Sequence, residues 1–227
     1  MKRILNNDLL NYYISKHNIG NIFDENLIQH MKLHFFKRDE TILRADTNLE
    51  YYYVLVDGKI KVSYLFENGK YMLLKFYKDL NTIGDLELLK NLPICCNIDA
   101  IEDTYMIAVS VDILRKEYFN DSKFLRHLVE SLSEKLYATI NNSSYNSVYP
   151  LINRISSYLV EHLIHRDYVI LNSSFLEIAQ FLGTTYRHLN RTLNELEAKS
   201  IIRCENKTIY ILDEEKLRDL AKNLYIK

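Results

Sequence analysis

Tryptophan is absent from the 227-residue chain, proline occurs twice, glycine five times and cysteine three times. So few prolines and glycines leave little room for disordered linkers. Three cysteines (Cys95, Cys96 and Cys204) are too few for a disulfide scaffold. An adjacent pair bridges only with strain, so the natural compartment is a reducing cytoplasm. Nor is there an excess of either charge. The 29 basic and 30 acidic residues leave a formal net charge of -1, which excludes a protein that coats nucleic acid by bulk charge but not one with a local basic face. No run approaches the roughly 20 apolar residues of a membrane span. The N-terminal MKRILNNDLL is broken by Asn and Asp and does not read as a signal peptide. What is present is ordinary for a globular chain of one or two domains, 48% apolar and 26% charged.

Two short helices are expected first, Asp8–Lys16 with Leu9, Leu10, Tyr13 and Ile14 inward, and Asp24–Met31 with Asp24 as N-cap. From Lys32 to about Ser110 short β-branched and aromatic runs alternate with turn signals. Tyr51–Val56 and Lys59–Leu65 flank Asp57-Gly58, the signature of a type I′ hairpin. Glu67-Asn68-Gly69-Lys70 repeats the device before Tyr71–Tyr77. Ile94–Ile101 and Thr104–Ser110 read as two more strands, and the set suggests a small antiparallel barrel or roll. Val111–Phe119 reads as a short helix.

A long helix follows from Asp121 to about Ile140. Leu125, Leu128, Leu132, Leu136 and Ile140 fall at three- and four-residue steps, and such a stripe must bury. It packs either on its own roll or against a second copy as a coiled-coil-like seam. Its length favours the dimer. Asn141–Ser147 has the most loop-like composition in the chain and marks a domain boundary, after which Leu151–Ile164 is amphipathic.

The most informative stretch runs from Ser174 to Leu196. Ser174 with Glu177 is a capping box, Ile178, Ala179 and Leu182 form an inner face, and Gly183 ends the helix. Thr185 is an N-cap for a second helix whose inner face is Leu189, Leu193 and Leu196. Two short helices joined by a Gly-containing turn are a helix-turn-helix. With the second helix in a major groove, Tyr186, Arg187, His188 and Asn190 face out, and Arg191 lies a turn deeper. Arg reads guanine and Asn adenine by paired hydrogen bonds. Ile201–Arg203 and Lys207–Leu212 read as a two-stranded wing with Lys207 at its turn, within reach of a phosphate. From Pro150 onward eleven basic residues meet ten acidic ones, so the positive signal is local: Arg187, Arg191, Lys199, Arg203 and Lys207 against Glu195, Glu197 and Glu205. An interaction-only winged helix with a solvated polar face is the alternative.

Taken whole, the chain resembles the CRP/FNR superfamily of transcription regulators. The resemblance rests on Tyr53-Val-Leu-Val-Asp-Gly58-Lys-Ile-Lys-Val62, Glu67-Asn-Gly69-Lys, Thr82-Ile-Gly84-Asp85-Leu-Glu-Leu-Leu89, Leu176-Glu-Ile-Ala-Gln-Phe-Leu-Gly183 and Arg191-Thr-Leu-Asn-Glu-Leu196. Within that family Thr185-Tyr-Arg-His-Leu189 is similar to the YeiL-type regulators. The resemblance implies an α+β chain. A cyclic-nucleotide-binding-like β-roll (a jelly roll) with N-terminal helices spans residues 1–120, a long dimerisation helix and hinge 121–147, and a winged helix-turn-helix 148–227. It implies a cytoplasmic homodimer on a pseudo-palindromic double-stranded DNA site, with RNA polymerase as partner if it activates.

The departures from the family are informative. Cyclic-nucleotide binders grip the phosphate with an Arg-Ser or Arg-Thr pair, and here that place falls at Ile94-Cys95-Cys96-Asn97. No Arg lies between Asp46 and Ile113. Without its charge-assisted bond, tight cAMP or cGMP binding is not expected. The effector region is Gly84, Asp85, Leu86, Cys95 and Cys96, with Asp85 still able to accept a hydroxyl. No cysteine precedes Cys95, so an iron–sulfur cluster of the family's oxygen-sensor type is not expected. Only Arg191 matches the base-reading pattern of the family directly, so a different DNA sequence should be read.

Other groups have blander readings. Cys95-Cys96 on a strand would point to opposite faces, either as packing cysteines or as a thiol sensor. His30/His34 and His162/His165 have helical metal spacing without a third ligand, and no metal site is expected. Asp85 and Glu87 share one side of a strand or turn but lack a nucleophile, so no catalytic residue is assigned and no enzyme is expected. Two rivals remain: an effector-independent regulator with a degenerate pocket, and a cupin-like β-roll enzyme. The latter is opposed by the lack of any His between Phe35 and Arg126.

Overall fold

A computed structural model describes residues 1–67, 71–78, 80–163, 167–171 and 173–222. The chain divides into two compact units, Met1–Lys135 and Leu136–Lys227. Among the described residues no helix is long and apolar enough to cross a membrane.

The first unit opens with a short strand β1 (Lys2–Ile4) and three helices, α1 (Asn7–Lys16), α2 (Ile19–Ile22) and α3 (Glu25–Gln29). Asn6 and Asp24 start α1 and α3 by accepting the backbone N–H of Leu9 and Leu27. Then come β2 (Lys32–Phe36), β3 (Thr41–Leu43), β4 (Tyr51–Asp57), β5 (Lys59–Leu65), β6 (Tyr71–Lys78), β7 (Asn81–Ile83), helix α4 (Asp85–Lys90), β8 (Asn97–Ala100) and β9 (Thr104–Ser110). One antiparallel sheet has the order β1-β2-β9-β4-β7 and the other β3-β8-β5-β6.

β4 shows why two sheets and a layer of helices form. Its residues 52–56 are all buried, so it cannot lie on a half-solvated sheet. Tyr53 and Leu55 join Phe36, Ile60, Ile98 and Met106 between the two sheets. Tyr52, Val54 and Val56 point the other way, into a core with Ile19, Leu27, Leu88, Leu114, Phe124 and Leu128. The period of two thus feeds two separate cores.

The same fact corrects the expected Asp57-Gly58 hairpin. β4 is already flanked by β9 and β7 and does not pair with β5, so both its edges are taken and the chain must cross to the other sheet. Gly58 makes that corner at φ +101°, where a Cβ would lie 2.6 Å from Thr104 Oγ1 and 2.8 Å from the Asp103 carbonyl. The next hairpin does form, β5 against β6 from Lys59↔Lys78 to Leu65↔Tyr71. Its turn residues Asn68, Gly69 and Lys70 lie outside the described residues.

Ile94–Ile101 is a strand only from Asn97, because the Cys95 N–H is taken by Glu87 Oε1 at 3.0 Å and cannot join a ladder. Cys95 and Cys96 therefore sit in the connection before β8, not on opposite faces of a strand. Asp85 and Glu87 lie on a helix, where residues two apart do not share a side.

Beyond β9 come α5 (Val111–Ile113), a π-helical turn (Leu114–Tyr118) and the long helix α6 (Ser122–Val148). The loop expected at Asn141–Ser147 is helical. Ser147 Oγ bonds the Ser143 carbonyl one turn back, and the Tyr145 and Tyr149 rings meet edge to face at 5.9 Å. Pro150 ends the run and starts α7 (Leu151–Glu161). Ile164, the expected end of α7, lies outside the described residues, as does His165 of the His162/His165 pair.

The second unit is built around α7. Strand β10 (Tyr168–Ile170), helices α8 (Phe175–Phe181) and α9 (Tyr186–Ala198), strands β11 (Ile202–Glu205) and β12 (Thr208–Ile211) and helix α10 (Glu214–Ala221) follow it. Leu151, Ile155, Leu159, Ile178, Leu189 and Leu196 share one core. The opposite edge of α7 is polar: Asn153 and Ser157 donate to the terminal carbonyls of α10, Leu220 and Ala221. The wing has three strands, β10-β12-β11. β10 is three residues long and separated in sequence from the other two, so the local pattern does not reveal it.

Candidate functional site

The helix-turn-helix is built as the sequence reading describes. Ser174 and Glu177 form the reciprocal capping box of α8. At its end the Gly183 N–H bonds the Gln180 carbonyl, and the Thr184 N–H bonds that of Ala179. Gly183 takes φ +61°, which completes a Schellman turn. Thr185 then caps α9 by accepting the His188 N–H at 3.2 Å. Leu189, Leu193 and Leu196 are buried on the inner side of α9.

The other side of α9 is open. Tyr186, Arg187, His188 and Arg191 are exposed and Asn190 is half-buried. Arg191 Nε lies 3.6 Å from Glu195 Oε1, an exposed pair worth little in water and easily exchanged for a base or phosphate. Thr184 Oγ1 lies 3.3 Å from His188 Nδ1. Lys207 is exposed at the β11–β12 turn. Arg203, by contrast, is held on the wing by Glu205 at 2.8 Å and by the Tyr210 ring at 5.0 Å.

The expected effector residues differ in exposure and engagement. Gly84 turns the chain at φ +95°, with the Leu49 side chain 2.8 Å from where a Cβ would stand. Leu86 is exposed. Cys95 and Cys96 are half-buried. Burial pushes the Cys96 thiol up to about 11, and burial together with the Glu87 carboxylate raises Cys95. A reactive sensor thiol needs the opposite shift, which the surroundings of Cys95 and Cys96 do not supply.

Asp85 is only 4% exposed, and its carboxylate is already engaged. Ser131 Oγ donates to its Oδ2 at 2.9 Å and Lys135 Nζ at 2.6 Å. Lys135 also donates to the Thr82 carbonyl at 2.7 Å, and the Thr82 and Ser131 hydroxyls are 2.7 Å apart. One helical turn earlier His127 Nε2 meets the Tyr52 hydroxyl at 3.1 Å. His127, Ser131 and Lys135 thus form a row at four-residue steps that ties α6 to β4, β7 and α4. The sequence reading missed this row because it followed only the leucines. Polar residues at i+4 beside the buried Phe124 and Leu128 were the available signal.

Lys135→Met is expected to cost about 2 kcal/mol of stability in urea unfolding, because it leaves a buried carboxylate without its cation. Adding Asp85→Asn should recover most of it, since Asn still accepts from Ser131. Additive losses in the double variant would show that the two groups do not act together.

The leucine stripe of α6 divides. Leu128 is fully buried in the core of the first unit and is not on an outward seam. Leu125 and Leu132 are half-buried. Leu136 and Ile140 are 62% and 53% exposed, and Val129, absent from the expected set, is 61% exposed. Val129, Leu132, Leu136 and Ile140 lie on the side of the helix turned from the polar row.

The histidines are dispersed: His30 caps the end of α3, and His34 is buried inside the roll. Among the described residues no three His, Cys, Asp or Glu side chains gather as metal ligands.

Two protein families match the chain, the cyclic nucleotide-binding domain over residues 33–121 and the Crp-like helix-turn-helix domain over residues 153–220. Regulatory protein YeiL of Escherichia coli O157:H7 is 27% identical over 188 residues, covering 83% of this chain and 84% of that one. The cAMP-activated global transcriptional regulator CRP of Pasteurella multocida is 24% identical, covering 81% and 91%. Among solved structures, a CRP/FNR-family transcriptional regulator from Thermus thermophilus superposes with a TM-score of 0.71 at 19% identity, over 84% of this chain and 98% of that one. These relatives are regulators, not enzymes, which sets the cupin-like reading aside.

Proposed function

We propose, for a chain that belongs to the CRP/FNR family of DNA-binding transcription regulators, that it acts in the cytoplasm as a homodimer reading a pseudo-palindrome through α9. The observation that carries this reading is the outer side of α9. Tyr186, Arg187, His188 and Arg191 stand exposed on a helix whose inner side is locked by three buried leucines and whose N-terminus is capped. That end of the helix favours phosphate, and the two arginines have the fork that pairs with guanine. Lys207, exposed at the turn of the wing, would meet the backbone on that side. The outward stripe Val129–Leu132–Leu136–Ile140 supports a two-fold seam along α6, which would set half-sites about one helical turn, or 34 Å, apart.

Selection from random duplex DNA under reducing conditions, without added ligand, tests this. A two-fold symmetric site should be enriched. Arg191→Ala should then weaken binding to it by about 1–3 kcal/mol and relax preference at one position of each half-site. An unchanged affinity and preference would place the reading elsewhere than on α9.

A second reading concerns the effector. The Pasteurella relative is described as cAMP-activated, but this chain has no Arg between Asp46 and Ile113. Its Asp85 carboxylate is occupied by Ser131 and Lys135. Both facts favour control without a cyclic nucleotide, either by another small molecule or by none. Calorimetry with cAMP and cGMP should show no heat of binding.

A further inference from the structure

We infer that Asn146 and Arg154 are positioning residues for DNA reading: together they hold the end of α8, and so fix the direction in which α9 leaves the turn. The inference rests on the reading of α9 as the recognition helix. It starts from the account of carbonyls at the end of α8, all of it within the second unit. A helix leaves its last carbonyls without partners of its own. Those of Ala179 and Gln180 are taken by the turn itself, through Thr184 and Gly183. Those of Phe181 and Leu182 are taken from outside. Asn146 Nδ2 donates to Phe181 O at 3.1 Å, and the Arg154 guanidinium donates to Leu182 O.

The two donors are linked to each other. Arg154 Nη1 reaches Asn146 Oδ1 at 3.5 Å, so the carboxamide gives with one atom and receives with the other. Arg154 is 8% exposed, and a guanidinium there complements the negative end of α8. The fit against the turn is close. A Cβ on Gly183 would stand 3.3 Å from Cβ, Cγ and Nδ2 of Asn146, so the asparagine lies flat on the one residue of the turn that has no side chain. Only Thr184 and Thr185 separate Gly183 from the first residue of α9. Whatever holds Phe181–Gly183 therefore sets the start of α9.

Asn146 stands in the last turns of α6 and Arg154 in the first turn of α7. The clamp thus joins the long helix to the helix-turn-helix through hydrogen bonds of fixed direction. A rotation at the end of α6 would be passed to α9 through Asn146. A merely structural role would have the pair stabilise the fold and nothing more.

The test uses the full chain and the duplex obtained by selection, with a random duplex of equal length at the same salt. Asn146→Asp keeps the size and the acceptor for Arg154 but removes the donor to Phe181. It is expected to raise Kd for the selected site at least tenfold, to leave Kd for random duplex within twofold, and to broaden the preferred sequence on reselection. Arg154→Lys keeps the charge but not the fork, and should shift the ratio of specific to random binding in the same direction by less. If both affinities fall together in step with lost helical signal, or if the ratio holds in both variants, the pair is structural and the inference is overturned. Arg191→Ala is the control. If it leaves the ratio unchanged, α9 is not the reader, and the positioning claim falls with that reading rather than on its own account.

Discussion

Leu136→Asp is expected to turn the protein into a monomer at micromolar concentration and to lower affinity for a palindromic site at least a hundredfold. In the single chain Leu136 is 62% exposed, with Val129 and Ile140 exposed on the same side of α6. Fully burying a leucine is worth about 1.5–3 kcal/mol. A two-fold seam counts the residue twice and brings the two introduced carboxylates close together, where each also loses water. The sum exceeds about 3 kcal/mol, or more than two decades in the dimer equilibrium. DNA affinity follows, because two linked half-sites bind far better than one. A single half-site duplex should bind the variant as well as it binds the parent. Sedimentation velocity reads the first effect and competition with half-site duplex the second. Leu128→Ala is the contrasting substitution: it opens a cavity in the first unit and costs about 2–5 kcal/mol of folding stability, but the residue has no outward surface to give to a partner. A variant at position 136 that still sediments as a dimer would move the interface off this stripe.

The contrast between positions 128 and 136 shows where the sequence was legible. The spacing of Leu125, Leu128, Leu132, Leu136 and Ile140 identifies a helix with an apolar side but does not separate two neighbouring apolar sides on one helix. Leu128 serves the core and Leu136 the outside, and the exposed Val129, four residues after Leu125 and three before Leu132, fits the same spacing without being a leucine. The capping box at Ser174, the glycine at 183 and the cap at Thr185 were all readable. Each is a local device whose chemistry is complete within four to six consecutive residues. Asp57-Gly58 is local too, but its meaning is not. The same dipeptide closes a hairpin when the strand edges are free and turns a corner when they are taken, and only the pairing of β4 with β7 and β9 decides. Asn141–Ser147 failed for a similar reason. Its residues prefer loops, but Asn146 bonds the end of α8, which lies some thirty-five positions further on, and local composition has no record of that. The Asp85–Ser131–Lys135 row joins β7, α4 and α6 across fifty positions, beyond any motif window.

Acid should weaken the first unit through His34, by about 3 kcal/mol between neutral pH and pH 4. His34 is 1% exposed inside the roll. Its ring meets Tyr51 and Tyr53 edge to face at 5.1 and 5.8 Å, and its Nδ1 lies 3.3 Å from the Tyr53 hydroxyl. Burial disfavours the imidazolium, and Lys32, Arg3 and the N-terminal ammonium add to the effect, so that it is held down to about 4 from the ordinary 6.5. Between those values the unfolded chain binds a proton that the folded chain refuses. Stability from this group is therefore complete above about pH 6.5 and is lost as pH falls towards 4, at about 1.4 kcal/mol per unit. His127, lowered chiefly by burial although Asp85 and Glu130 oppose it, acts in the same direction. Urea unfolding at steps from pH 7 to pH 4 reads the slope, and His34→Leu should flatten it at some fixed cost from the lost Tyr53 contact. Ring-proton titration by NMR reads the cause directly. A His34 midpoint near 6.5 in the folded protein would mean that the roll opens to water at this position, and the steep acid loss would then have to come from its carboxylates.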